Sequence, residues 1–75
     1  MKSIIKIYDM NKSSDAMNIQ SAIASNEGVI ACEVSLDKKE IQLIYNESFV
    51  TLDKIIESIE ILGYMVVSEM EVNFI

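Results

Sequence analysis

The chain has 75 residues, a formal net charge of −6 and hydrophobic residues at 51% of its positions. That length holds one small domain, and that apolar fraction excludes a disordered chain. All six basic residues are lysines, set against twelve acids, with no arginine and no histidine. Nucleic acid and anionic membrane surfaces are therefore poor partners, because both are bound by basic faces that displace counterions.

Cys32 is the only cysteine, which excludes an internal disulfide and suits a reducing compartment. The opening run is broken by Lys6 and makes neither a secretion signal nor a transmembrane span. A cytoplasmic protein is the expectation.

The first element is a strand from Ser3 to Tyr8, in which Ile5 and Ile7 share one face while Ile4, Lys6 and Tyr8 share the wetter one. A polar loop, Asn11 to Ser14, follows. Ser13 or Ser14 is the expected N-cap, and Asp15 places an acid in the first helical turn, where the helix dipole favours it. The helix is expected from about Asp15 to Ser25, with Ala16, Ile19, Ala22 and Ile23 on one stripe. Gly28 ends it with a left-handed cap.

Val29 to Leu36 reads as a second strand, with Cys32, Val34 and Leu36 alternating against Glu33 and Ser35. Asp37, Lys38 and Lys39 make a polar turn, and Glu40 to Tyr45 returns as a third strand, completing a hairpin. Thr51 caps a second helix, Leu52 to Leu62, whose stripe is Leu52, Ile55, Ile56, Ile59 and Leu62. Gly63 stops it, and Tyr64 to Ser68 is a short fourth strand. In the tail Met70, Val72 and Phe74 alternate with Glu69, Glu71 and Asn73, a pattern open to two readings: a prolonged fourth strand or a frayed end. The expected division is a domain over residues 1–69 and a tail over 70–75.

The order strand, helix, strand, strand, helix, strand, with right-handed crossovers, gives a four-stranded antiparallel sheet carrying both helices on one face. This is an α+β, ferredoxin-like βαββαβ sandwich.

The spacing of particular residues along this scaffold resembles the heavy-metal-associated domains, which include copper chaperones and the amino-terminal modules of copper-transporting ATPases. The features that carry the resemblance are Met10 after the first strand, the Ile19, Ala22 and Ile23 stripe, Gly28-Val29, and then Val34, Leu36 and Asp37 at the hairpin. Ile56 and Ile59 leading to Gly63-Tyr64 complete it, so it covers Ser3 to about Val67. The resemblance implies metal-ion binding and transfer through a Gly-Met-x-Cys-x-x-Cys loop, with Tyr64 placed close by. Here Asp9 stands at the glycine, and Lys12 and Asp15 stand at the two cysteines.

Two thiolates suit Cu(I) and Zn(II). A protonated lysine has no lone pair to donate, and a single carboxylate is a hard ligand. No bound cofactor is expected; copper or zinc enters only if the family site survives in an atypical form. Cys32 is expected in the core as a small hydrophobe, and Met10 as a packing residue. Met17 adds another thioether near the loop. Asp9 and Asp15 alone offer a hard cation too few oxygens, so the loop Asp9, Met10, Lys12, Asp15 with Tyr64 reads as a degenerate site. An anion at the helix N-terminus is opposed by Asp15.

An enzyme is not expected, because there is no histidine, no arginine and no serine with an identifiable base. Two functions remain. One is a metal-handling domain of the heavy-metal-associated class. The other is a protein-interaction or regulatory domain on the same scaffold, acting through a protein partner or through self-association at the C-terminal edge strand.

Overall fold

The computed structural model describes residues 1–72. Its elements are β1 (Lys2–Ile7), α1 (Ser13–Ala24), β2 (Val29–Ser35), β3 (Glu40–Tyr45), α2 (Leu52–Ile61) and β4 (Val66–Val72). The sheet runs in the order β2-β3-β1-β4, and every neighbouring pair is antiparallel. This is the ferredoxin-like sandwich expected from the element order.

Period-two alternation decides which strand residues meet the helices. Ile5 and Ile7 of β1 and Ile41, Leu43 and Tyr45 of β3 are buried, and they form the core with Ile19 and Ile23 of α1 and Ile55 and Ile59 of α2. The expected inward face of β1 is the one observed, and so are the helical stripes apart from Leu62. Burial of such side chains contributes on the order of 2 kcal/mol each and supplies most of the driving force. Among the described residues the two buried polar side chains, Ser3 and Glu40, are partnered. The hydroxyls of Ser3 and Tyr45 lie 3.3 Å apart, and Glu40 sits 3.5 Å from the Lys6 ammonium.

Side chains close the ends of the helices. The Thr51 hydroxyl accepts the Lys54 N–H at 3.2 Å, as expected of an N-cap. At the other end of the first helix the Asn26 amide donates to the Ser58 hydroxyl at 3.0 Å and so ties α1 to α2. Gly28 takes φ +100°, the left-handed region where a side chain is strained, and its carbonyl accepts the Asn46 N–H at 2.8 Å.

Some boundaries differ from expectation. The first helix starts at Ser13 with Lys12 as N-cap, not at a cap supplied by Ser13 or Ser14. Leu62 falls outside α2 as its C-cap and is exposed. The last strand begins at Val66 rather than Tyr64 and runs through Glu69 to Val72, so the tail prolongs the strand as far as it is described. Residues 73–75, including Phe74, lie outside the described residues. Met70 pairs with Ile4 and Val72 with Lys2. Cross-strand partners share a face, so Met70 and Val72 lie on the face of the sheet away from the helices. Met70 is exposed there.

Cys32 is half-buried rather than fully inside. It packs against the core from β2, an edge strand, and one side of an edge strand stays open.

Candidate metal loop

The loop between β1 and α1 occupies one end of the sandwich, beside the turn that joins α2 to β4. Local chemistry explains its course. Lys12 is extended, with φ −122° and ψ 159°, and its carbonyl starts the helix by accepting the Ala16 N–H at 3.2 Å. A lysine ammonium cannot accept a hydrogen bond, so the cap is made from within the helix. Asp15, at the third helical position, reaches back, and its Oδ2 accepts the N–H groups of Asn11 and Lys12, each at 3.0 Å. This is the reciprocal half of a capping box.

The other carboxylate oxygen is also engaged. The Tyr64 hydroxyl donates to Asp15 Oδ1 at 2.7 Å, a short charge-assisted bond. Next to it, Asp9 Oδ1 accepts the Met65 N–H at 2.9 Å, and the Tyr8 N–H donates to the Met65 carbonyl, also at 2.9 Å. The β1–α1 loop and the α2–β4 turn are thus joined by two carboxylates and one backbone bond.

These contacts set the protonation of the pair. The Tyr64 hydroxyl first, and then the Asn11 and Lys12 amides, hold the Asp15 carboxyl below its ordinary value of 3.8. The same bond to Asp15 pushes the Tyr64 phenol above its ordinary 10.0, with burial adding to it and the Asp9 charge a smaller contribution. Asp15 therefore favours the fold above the ordinary carboxylate range, and that contribution is lost only as pH falls through its lowered value. Tyr64 favours the fold below the ordinary phenol range, and that contribution is lost as pH rises through its raised value. Across the neutral range the pair is a charged acceptor and an intact donor.

The residues expected at the site are brought together unequally. Asp9, Lys12, Asp15 and Tyr64 converge on the loop. Met10 does not offer its sulfur outward, since it is fully buried in the core. Cys32 lines a separate groove between α1 and β2 with Met17 and Gln20, where burial raises its thiol pKa and keeps it from the thiolate form that binds metal. Among the described residues no group of three or more His, Cys, Asp or Glu side chains is placed to hold an ion. The loop offers a cationic ammonium with no lone pair and two hard carboxylates, Asp15 with both oxygens bonded and Asp9 with one, and this set does not fit a soft ion.

Sequence reasoning placed Tyr64 near the loop but missed its bond to Asp15, and it missed the bond from Met65 to Asp9. The only signal for the first was the expected nearness of Tyr64 to the loop. Nothing in the sequence pointed to the second.

The comparisons agree with this architecture. The heavy-metal-associated domain model matches residues 5–65, and the chain belongs to that family. Metal-ion binding and transfer is the family's role. The chain is 37% identical over 63 residues to a copper chaperone, CopZ, of Staphylococcus epidermidis, covering 84% of this chain and 93% of that protein. It is 32% identical over 64 residues to CopZ of Staphylococcus haemolyticus, covering 85% and 94%. Among solved structures, a CopZ metallochaperone superposes with a TM-score of 0.86 at 25% identity, over 89% of this chain and all of the other. Oxidized MerP from Ralstonia metallidurans superposes at 0.83 with 17% identity, over 91% and 97%, which is a likeness of fold alone.

Proposed function

We propose that this chain is a metal-handling domain of the copper-chaperone type that no longer grips a soft ion in its own loop and acts through contact with a protein partner. The observation that carries this reading is the state of Asp15. At the position of a thiolate stands a carboxylate with both oxygens bonded to the protein itself. The other thiolate position holds an ammonium group. The near full-length likeness to copper chaperones supports a place in copper handling, and the donor set opposes the role of carrier. The likeness to copper chaperones supports reading the domain as a non-enzyme of the cytoplasm. No helix among the described residues is long and apolar enough to cross a membrane.

Two surfaces suit a protein partner. One is the loop end, where Tyr8 and Met65 are about two-thirds exposed and the Lys39 ammonium lies 3.3 Å from the Tyr8 carbonyl. The other is the outer edge of β4, with Val67 and Met70 similarly exposed. An edge strand pairs readily with another strand. Sedimentation of the full chain from low to high concentration tests pairing of β4 with a second copy, and a monomer throughout removes it.

The test of the metal reading is a competition titration of the protein with Cu(I) and with Zn(II) against chelators of known affinity. The expected result is binding weaker than about 1 μM, corresponding to less than about 8 kcal/mol. Sub-micromolar binding of either ion by the unaltered chain overturns it.

A further inference from the structure

We propose that the Asp15 carboxylate and the Tyr64 hydroxyl do the holding that an ion does in a metal-carrying loop, closing the β1–α1 loop onto the α2–β4 turn with no metal present. The inference rests on the reading that the loop takes no soft ion, and goes beyond it. A chelated ion joins two positions three residues apart, one in the loop and one in the first helical turn. Here the same two positions are joined without one, since Asp15 Oδ2 accepts the backbone N–H of Lys12. The second bond to the Asn11 N–H extends the grip one residue further into the loop.

The link to Tyr64 spans 49 residues. It fastens the loop to a different part of the chain, as a side chain reaching an ion from across the site would. The parallel bond from the Met65 N–H to Asp9 fixes the other side of the same junction. Asn18, on α1, lies beside the Tyr64 hydroxyl, whose proton points at Asp15. The charged groups around the junction are Asp9, Lys12 and Asp15, with the Lys39 ammonium on the Tyr8 carbonyl at its edge. The consequence is a binding end with one shape, presented whether or not copper is available. A partner that docks there reads the domain itself and not its metal load.

The test is amide hydrogen exchange on the protein after chelator treatment. The Asn11 and Lys12 amides should exchange at least about tenfold more slowly than an unbonded loop amide, and added Zn(II) or Cu(I) should not slow them further. Tyr64→Phe keeps the ring and removes the donor. It should speed exchange at Asn11 and Lys12 by roughly fivefold, the equivalent of one ordinary hydrogen bond. The Lys54 amide, bonded to Thr51, should stay unchanged as the control for global stability. Asp15→Ala should release both loop amides and return the Tyr64 phenol, followed by 13C-tyrosine NMR, toward its ordinary titration range. Unprotected amides in the ion-free protein, or unchanged exchange in both variants, overturn the inference. If those amides are free while the copper titration still shows no tight binding, the metal reading stands and only the closure fails. Slower exchange on adding an ion would show that the ion does the closing.

Discussion

Replacing Gly28 with alanine is expected to destabilise the protein by roughly 2–5 kcal/mol. Two costs add. Gly28 has φ +100°, and an L side chain in the left-handed region costs about 1–2 kcal/mol. The new Cβ would also stand 2.8 Å from Phe49 Cβ, 3.1 Å from Val50 Cγ1 and 3.3 Å from the Asn46 carbonyl oxygen. Those neighbours include backbone and a Cβ that cannot swing away, so the segment after β3 has to move, at about 1–3 kcal/mol for overpacking. A domain of this size has a total stability of roughly 4–11 kcal/mol. The thermal midpoint should therefore fall by about 10 °C or more. Gly63 provides the internal control. It has nearly the same angle, φ +97°, but nothing lies within 4 Å of the point where an alanine methyl group would stand. Gly63→Ala should show the strain alone, about 1–2 kcal/mol. Equal losses at the two glycines would show that the Phe49 contact costs nothing.

The second large effect is a gain. A Lys12→Cys/Asp15→Cys double variant should bind Cu(I) at least about a thousandfold more tightly than the parent, a difference of about 4 kcal/mol. The scaffold already places the two positions as a chelating pair requires, one at the N-cap and one in the first turn of α1. Helix N-termini lower thiol pKa values, so both sulfurs would be available as thiolates near neutral pH. Substitution of Asp15 also releases the Asn11 and Lys12 amides and the Tyr64 hydroxyl. The metal-free variant should accordingly be less stable than the parent and should recover on adding copper, because a ligand that binds only the folded state stabilises it. A competition titration with thermal melts checks both parts. A variant that binds no better than the parent would show that more than the donor atoms has been lost.

Much of the fold could be read from residue patterns. The β3 limits of Glu40 and Tyr45, the Thr51 cap and the stripe of Ile55 and Ile59 are local features, each set by a period or by a side chain acting within four residues. Features that depend on distant neighbours were not visible. Cys32 alternates as a buried residue should, yet β2 lies at the sheet edge, so the thiol is only half covered. Ser13 and Ser14 look like caps, yet Asp15 does the capping from inside the first turn. The absence of thiols at the loop was legible residue by residue. What took their place was not, since a hydrogen bond between Asp15 and Tyr64 leaves no periodic trace in the chain.

The most direct measurement is a 1H–15N NMR titration of the unaltered protein with Cu(I) held in a buffered, oxygen-free solution. The account predicts that the Asn11, Lys12, Asp15 and Met65 amides keep their positions as copper reaches equivalence, because the loop offers no thiolate and both Asp15 oxygens are already bonded. Stoichiometric shifts confined to those four amides would contradict it.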